Sequence, residues 1–181
     1  LGLGMYIAIR EGSAARDLEV LIKGVNSHNQ RRCTFCTDDK NPDEVIIEGH
    51  IDHSIRKAIE MGIDPISAIQ MATLNTAECY QLRDIGAIAP GYDADLVVVE
   101  NLEDFQVERV FKKGKLVGQD GIALFDIELP DLKDVTHTVS VNDITEKDLE
   151  IKLEGDIVNV IRLEPHSLIT EKVVRKVSTD D

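Results

Sequence analysis

Two short apolar runs, each ending in charged residues and separated by one amphipathic stretch, constrain the fold of this chain more than any other feature. Met5–Arg10 runs into Glu11-Gly12-Ser13, and Cys33–Thr37 runs into Asp38-Asp39-Lys40. Both are nearly continuous apolar segments of strand length, the pattern of strands covered on both faces. Between them Ala15, Leu18, Leu21 and Ile22 recur at helical spacing, with Ser13 as the expected N-cap and Gly24 as the stop. Strand, helix, strand in this span predicts a right-handed parallel βαβ unit. Parallel α/β sheets and barrels place their chemistry on residues at the C-terminal ends of strands, so an enzyme is the first expectation.

The next segment reads as helical. Asn41 is a cap, Pro42 occupies the first helical position and Glu44 lies three residues after the cap. Ile51, Ile55, Ala58 and Ile59 continue the apolar face to Gly62; Asp64-Pro65 starts a helix to about Leu74, and Asn75 with Glu78 caps a third, short one. The character changes near Arg83. Gly86 to Gly91 is turn chemistry, Ala94–Glu100 is a strand, and Val107–Phe111 and Leu116–Val117 flank a Lys-Lys-Gly-Lys turn as a hairpin. Farther on, Thr136–Val141, Leu149–Leu153 and Ile157–Leu163 read as strands, while Ile169–Val177 has an ambiguous period. The expected division is an α/β part over 1–84, a β segment over 85–120 and a β-rich part over 121–181. Two parallel strands with so few helices cannot bury both faces, so the first part calls for strands from outside this sequence.

Charge narrows the partners. The 181 residues hold 34 acidic against 20 basic side chains, a net charge of −14. Nucleic-acid backbones and anionic membrane surfaces both require positive patches, which argues against either as a partner. No apolar stretch has the length to cross a bilayer, and the N-terminus lacks a secretory signal pattern. Leu1 falls inside an apolar pattern, as in a segment of a longer protein. Three cysteines, Cys33, Cys36 and Cys79, are too few for a disulfide framework and suit a reducing cytoplasm. Edge strands in the acidic β-rich tail need cover, which a homodimer would provide.

Several residues have both a chemical and a plain structural reading. Asp38 and Asp39, just past a strand, either ligate a metal and move protons or make a turn near a helix start. Arg10 and Glu11 either orient a substrate or form an ion pair, with Ser13 as the cap. His50 and His53, three apart, would share one face of a helix; a site wall or helix-start role is favoured over direct ligation, because the metalloprotease spacing and glutamate are absent. Cys33 and Cys36 lack a second ligand pair and read as structural thiols. His28, His137 and His166 are isolated. Phosphate-binding glycine loops and a serine nucleophile elbow are absent.

Taken together, Gly4 to Arg16, Cys36-Thr-Asp-Asp-Lys40, Glu48-Gly-His-Ile-Asp-His53, Ile69 to Glu78 and Gly86 to Val98 resemble the adenine deaminases of the amidohydrolase superfamily. The resemblance covers about residues 1–119, and residues 121–181 look like the opening of that family's additional C-terminal domain. It implies a metal-dependent (β/α)8 barrel, whose seventh and eighth strands would be the Met5 and Cys33 runs, followed by a return to a small β-sandwich. It further implies hydrolysis of adenine to hypoxanthine and ammonia with a divalent ion, Mn2+ or Fe2+, on Asp38, which would also shuttle protons. Glu11, Asp39, Lys40 and His53 become candidates for the purine pocket. The family's His-x-His pair and its middle-strand ligands are missing here, so the isolated chain is expected to be inactive. Another cyclic-amidine or cyclic-amide amidohydrolase, or a non-catalytic module built from barrel remnants, are the alternatives.

Overall fold

Ile7–Arg10 (β1) and Cys33–Cys36 (β2) pair in parallel, with Ile7 opposite Cys33 and Arg10 opposite Cys36, in a computed structural model that describes residues 3–128, 130–153 and 155–177. The βαβ expectation is met. The connecting helix is shorter than its apolar spacing suggests: α1 covers only Leu18–Leu21 and tightens into a 3-10 turn over Ile22–Gly24. Ser13 is not its cap. Its hydroxyl accepts from the Asn41 backbone N–H at 2.8 Å and donates to Glu44, so it ties the first connection to the next helix instead.

That next helix is two helices. Pro42–Glu48 (α2) starts after Asn41 with proline at the first position, and Ile51–Glu60 (α3) follows. The break falls at Gly49, whose φ of 103° is open to glycine and strained for other residues. A Cβ there would lie 2.6 Å from Asp52 Oδ2 and 2.8 Å from Arg56 Nη2. The ends are satisfied locally: Arg56 Nη2 donates to the Glu48 carbonyl at 2.7 Å, and Asp52 Oδ1 accepts from the His50 N–H at 2.8 Å. His50 therefore stands at the start of α3 and does not share a helical face with His53.

Pro65–Ala72 (α4) is capped by Asp64, which accepts from the Ser67 N–H at 2.9 Å. Leu74–Cys79 (α5) begins after Thr73, so Asn75 is an internal residue of the helix and not its cap. Asn75 is 1% exposed, and its amide donates to the carbonyls of Gln30 at 2.8 Å and Cys33 at 2.9 Å. It thereby fixes α5 to the chain just before β2. Ile9, Cys33 and Phe35 from the strands join Leu18, Ile22, Ile55, Ala58, Ala68 and Met71 from the helices in one buried cluster. The β1–β2 sheet has two strands; the chain folds back on the end of β1 in one isolated bridge, Glu11 opposite Arg16, and no further strand pairs with either outer edge among the described residues.

Leu96–Val99 (β3), Val107–Lys112 (β4), Lys115–Gln119 (β5) and Ile122–Ala123 (β6) form an antiparallel sheet in chain order. The expected hairpin turns through Lys113 and Gly114, both at positive φ. These elements belong to one compact unit, Leu1–Phe125 with Pro165–Leu168; a second comprises Asp126–Glu164 and Ile169–Asp181. In the second unit Ile157–Leu163 (β7) pairs antiparallel with Thr170–Lys176 (β8), which resolves the ambiguous last segment as a strand. The strands expected over 136–141 and 149–153 do not form. Glu146–Leu149 is a 3-10 turn with a Thr145/Asp148 capping box, and Val139, Val141 and Ile151 are 80%, 70% and 84% exposed. An alternating apolar pattern becomes a strand only where one face is buried, and these side chains have none.

Replacing Asn75 by alanine would remove the amide donor to the Gln30 and Cys33 carbonyls, of which the Gln30 carbonyl keeps the Cys33 backbone N–H. We expect the N75A protein to lose about 1–3 kcal/mol in urea denaturation, and N75D to lose more, because a carboxylate would face the same carbonyls.

Candidate active site

The ends of β1 and β2 lie side by side, and the Glu11 N–H donates to the Cys36 carbonyl at 2.9 Å, carrying the ladder one residue past the strands. Successive side chains of a strand point to opposite faces. Ile9 and Glu11, both 1% exposed, turn toward the helices, while Arg10 turns the other way. Its guanidinium sits between two carboxylates. Nε and Nη2 donate to Asp17 Oδ2 at 3.2 and 2.8 Å, and Nη1 donates to Asp38 Oδ2 at 3.1 Å. Hydrogen bonds to Asp17 and then Asp38 raise the Arg10 pKa further above its already high value.

Asp38 has left the strand, at φ 51°, with a side chain 60% exposed. Its Oδ1 has no hydrogen-bond partner among the described residues, whereas Oδ2 is held by Arg10. Asp39 folds back over the first connection, where Oδ2 accepts from the Ala14 N–H at 2.8 Å. That backbone N–H holds the carboxyl below its usual range. The approach is so close that a Cβ on Gly12 would lie 1.7 Å from Asp39 Oδ1, which is why glycine occupies this position.

A second group of charges lies between β1 and the helices α2 and α3, with the Glu11 and Lys40 side chains buried and the others partly exposed. Glu11 Oε1 pairs with Lys57 Nζ at 2.8 Å, and Lys57 also reaches Glu19 at 3.0 Å. Lys40, with a side chain 2% exposed, pairs with Glu48. Arg16 donates both terminal nitrogens to Glu48 Oε1 at 3.1 Å and lies 3.4 Å from Glu44. The Lys40 hydrogen bond and then Arg16 lower the Glu48 pKa to about 2. His53 Nε2 lies 3.9 Å from Glu11 Oε1 and 4.0 Å from Glu48 Oε2. Burial, followed by the Lys40 charge, lowers the His53 pKa below its ordinary value. Glu11 Oε2, Arg16 Nε and His53 Nε2 are buried without hydrogen-bond partners among the described residues.

The five candidates thus fall into two groups. Asp38 and Asp39 stand at the exposed rim, whereas Glu11, Lys40 and His53 lie together in the charged layer between β1 and the helices. No side-chain hydrogen bond or ion pair joins the groups among the described residues. Sequence reasoning left Arg10 open and did not find Asp17, Glu48 or Lys57, because their partners lie in other elements and follow no local spacing. His50 meets Thr37 Oγ1 at 3.0 Å. Cys33 and Cys36 are free thiols, buried and half-buried. A groove of about 540 Å3 between α2, α3 and β4–β6 is lined by Ile46, Ile47, Arg56, Val110, Ile122 and Phe125 and does not include Asp38.

Among the described residues no group of three or more His, Cys, Asp or Glu side chains could hold a metal ion. Asp38 by itself is a suitable single donor, a carboxylate with one uncommitted oxygen at a strand end. None of the helices among the described residues is long and apolar enough to cross a membrane.

Acid should loosen the charged layer in two stages. A folded pKa lowered below the unfolded one means that the unfolded state binds more protons. For Glu48 the stabilisation is complete above its ordinary value of 4.5 and is lost as pH falls toward about 2. For His53 the loss begins as pH falls below 6.5 and is complete below the lowered folded value. We expect urea midpoints followed across the acid range to lose the lower limb in E48Q and the upper limb in H53Q.

Residues 7–117 match the Amidohydrolase family. The chain is 48% identical over 97% of its length to an adenine deaminase of Clostridium acetobutylicum, of which it covers 31%. It is 46% identical over its whole length to one of Kosmotoga olearia, covering 32% of that protein. It therefore spans about a third of the curated relatives it matches. Among solved structures, a β-aspartyl dipeptidase of Fervidobacterium islandicum superposes with a TM-score of 0.55 at 20% identity, over 70% of this chain and 36% of that one. The likeness is one of fold, and with the family match it supports a TIM-barrel-type architecture. With 7–117 matched out of 181 residues, the chain belongs to the amidohydrolase family.

Proposed function

We propose that this chain is a segment of a metal-dependent adenine deaminase, which hydrolyses adenine to hypoxanthine and ammonia. The observation that carries the reading is identity of 48% and 46% to adenine deaminases across nearly the whole chain, not over one shared motif alone. In this reading 1–84 is the last part of the barrel, with β1 and β2 as its seventh and eighth strands. Residues 85–120 return to a small β-sandwich, and 121–181 open a C-terminal domain. That no further strand flanks the β1–β2 sheet among the described residues supports such a closure by strands from elsewhere in the protein. A cytoplasmic homodimer is the proposed form.

Asp38 would supply one oxygen to a divalent ion, Mn2+ or Fe2+, and the remaining donors would come from outside this chain, since such ions take about four to six ligands. Such an ion would supply Lewis acidity, making water easier to deprotonate near neutral pH. The Asp38 carboxylate accepts the proton of the attacking water and returns it to the amino group that departs as ammonia. Asp39, anchored through Oδ2, offers its other oxygen to a ring N–H of the purine. Glu11, Lys40 and His53 form the floor beneath the rim. Among them, Glu11 Oε2 and His53 Nε2 are buried atoms without hydrogen-bond partners among the described residues.

The test is ammonia release by the full-length protein given adenine, adenosine or hydantoin, with added manganese. Turnover of adenine alone is expected, and turnover of hydantoin instead would assign a different amidohydrolase reaction. Asp38→Asn should cost roughly 10²–10⁴-fold in kcat, the range of a lost general acid–base group. The purified 181-residue chain should release no ammonia.

A further inference from the structure

The rim holds a cation that the proposed chemistry has not used. Arg10 is the last residue of β1, opposite Cys36 in the register and on the side of the sheet away from Glu11. Three of its nitrogens are committed, two to one oxygen of Asp17 and one to Asp38 Oδ2. Asp17 is itself anchored. Its N–H donates to the Arg10 carbonyl at 3.1 Å, and although it stands at the N-cap position of α1 its carboxylate makes no capping bond and goes to Arg10 instead.

Asp38 needs such a hold. It has left the ladder at φ 51°, and its side chain is 60% exposed, so nothing else among its side-chain contacts restrains its rotation. A planar guanidinium that spans two carboxylates fixes one oxygen in direction, which a flexible ammonium cannot do. The oxygen left over, Oδ1, is then presented away from Arg10. One cation between two carboxylates leaves a net negative charge, so the rim still attracts a metal ion.

We propose that Arg10, clamped by Asp17, is the positioning residue that sets which oxygen of Asp38 faces the metal and the substrate. The inference rests on the reading of Asp38 as ligand and proton carrier. Asp17→Arg10→Asp38 is a relay of orientation, not of protons: Asp17 sets the plane of the guanidinium and the guanidinium sets the carboxylate.

The experiment compares R10A, R10K, D17N and D38N in the full-length protein, each checked for folding by far-UV circular dichroism. Calorimetric titration of Mn2+ into metal-stripped protein is read alongside kcat and KM for adenine. R10A and R10K should weaken Mn2+ binding by about 10–100-fold and lower kcat with KM little changed, as expected for loss of a group that orients a ligand. D17N should move both in the same direction by less, although it touches neither Asp38 nor the metal. Failure of R10K to restore what R10A loses supports orientation over simple charge. Wild-type Mn2+ affinity and kcat in folded R10A, R10K and D17N would overturn the inference, and so would tighter Mn2+ binding, which would make Arg10 a competitor for Asp38. If D38N keeps both metal and turnover, the reading of Asp38 itself fails. If D38N loses both while the Arg10 and Asp17 variants do not, only the positioning inference fails.

Discussion

The parallel register of β1 and β2 is the constraint on which the rest depends. Pairing Ile9 with Phe35 and Arg10 with Cys36 aligns two strand ends and sorts their side chains by parity. One face carries Ile9, Phe35 and Glu11 toward the helices; Arg10 goes the other way and meets Asp38. A slip of one residue would carry Glu11 to the rim and Arg10 into the layer beneath the helices, so the register decides where each charge can act.

The charged layer beneath the rim costs desolvation, which its geometry offsets. Buried carboxylates are tolerable only when paired and hydrogen-bonded. Glu11 meets Lys57, and Glu48 meets Lys40 and Arg16. The unpartnered Glu11 Oε2, Arg16 Nε and His53 Nε2 are the places where that accounting stays open. Buried polar atoms without partners are rare, and among the described residues Ser54 Oγ and Asn75 Oδ1 are two more outside these ion pairs. Arg10 and Asp17 at the rim contrast with this layer: they carry no orphaned atoms and serve direction more than burial.

Much of this was legible from local pattern. The two apolar runs, the intervening turn of helix, the Asn41-Pro42 and Asp64-Pro65 helix starts, and the hairpin at Lys113-Gly114 all depend on neighbours within a few residues. Their signals survive without tertiary context. The errors share one cause. Ser13 and Asn75 have good capping chemistry, yet each spends its polar group on a distant element, Ser13 on α2 and Asn75 on the carbonyls of Gln30 and of Cys33 at the start of β2. The helix expected to run to Gly62 breaks at Gly49, where Asp52 and Arg56 satisfy the freed backbone. Apolar alternation over 136–141 and 149–153 found no surface to cover.

The sequence alone determined that two strands of a βαβ unit end in charged residues, carboxylates among them, and that the chain carries a net charge of −14; that the first part calls for further strands is an expectation from it. Those conclusions follow from composition, periodicity and the need to bury both faces of a parallel sheet. Only the tertiary structure decided that Asp38 stands apart from Glu11, Lys40 and His53, and that Arg10 and not a histidine holds it. Residues 7, 28 and 46 positions apart, as in Arg10–Asp17, Arg10–Asp38 and Glu11–Lys57, meet through sheet register and helix packing, which no local spacing encodes.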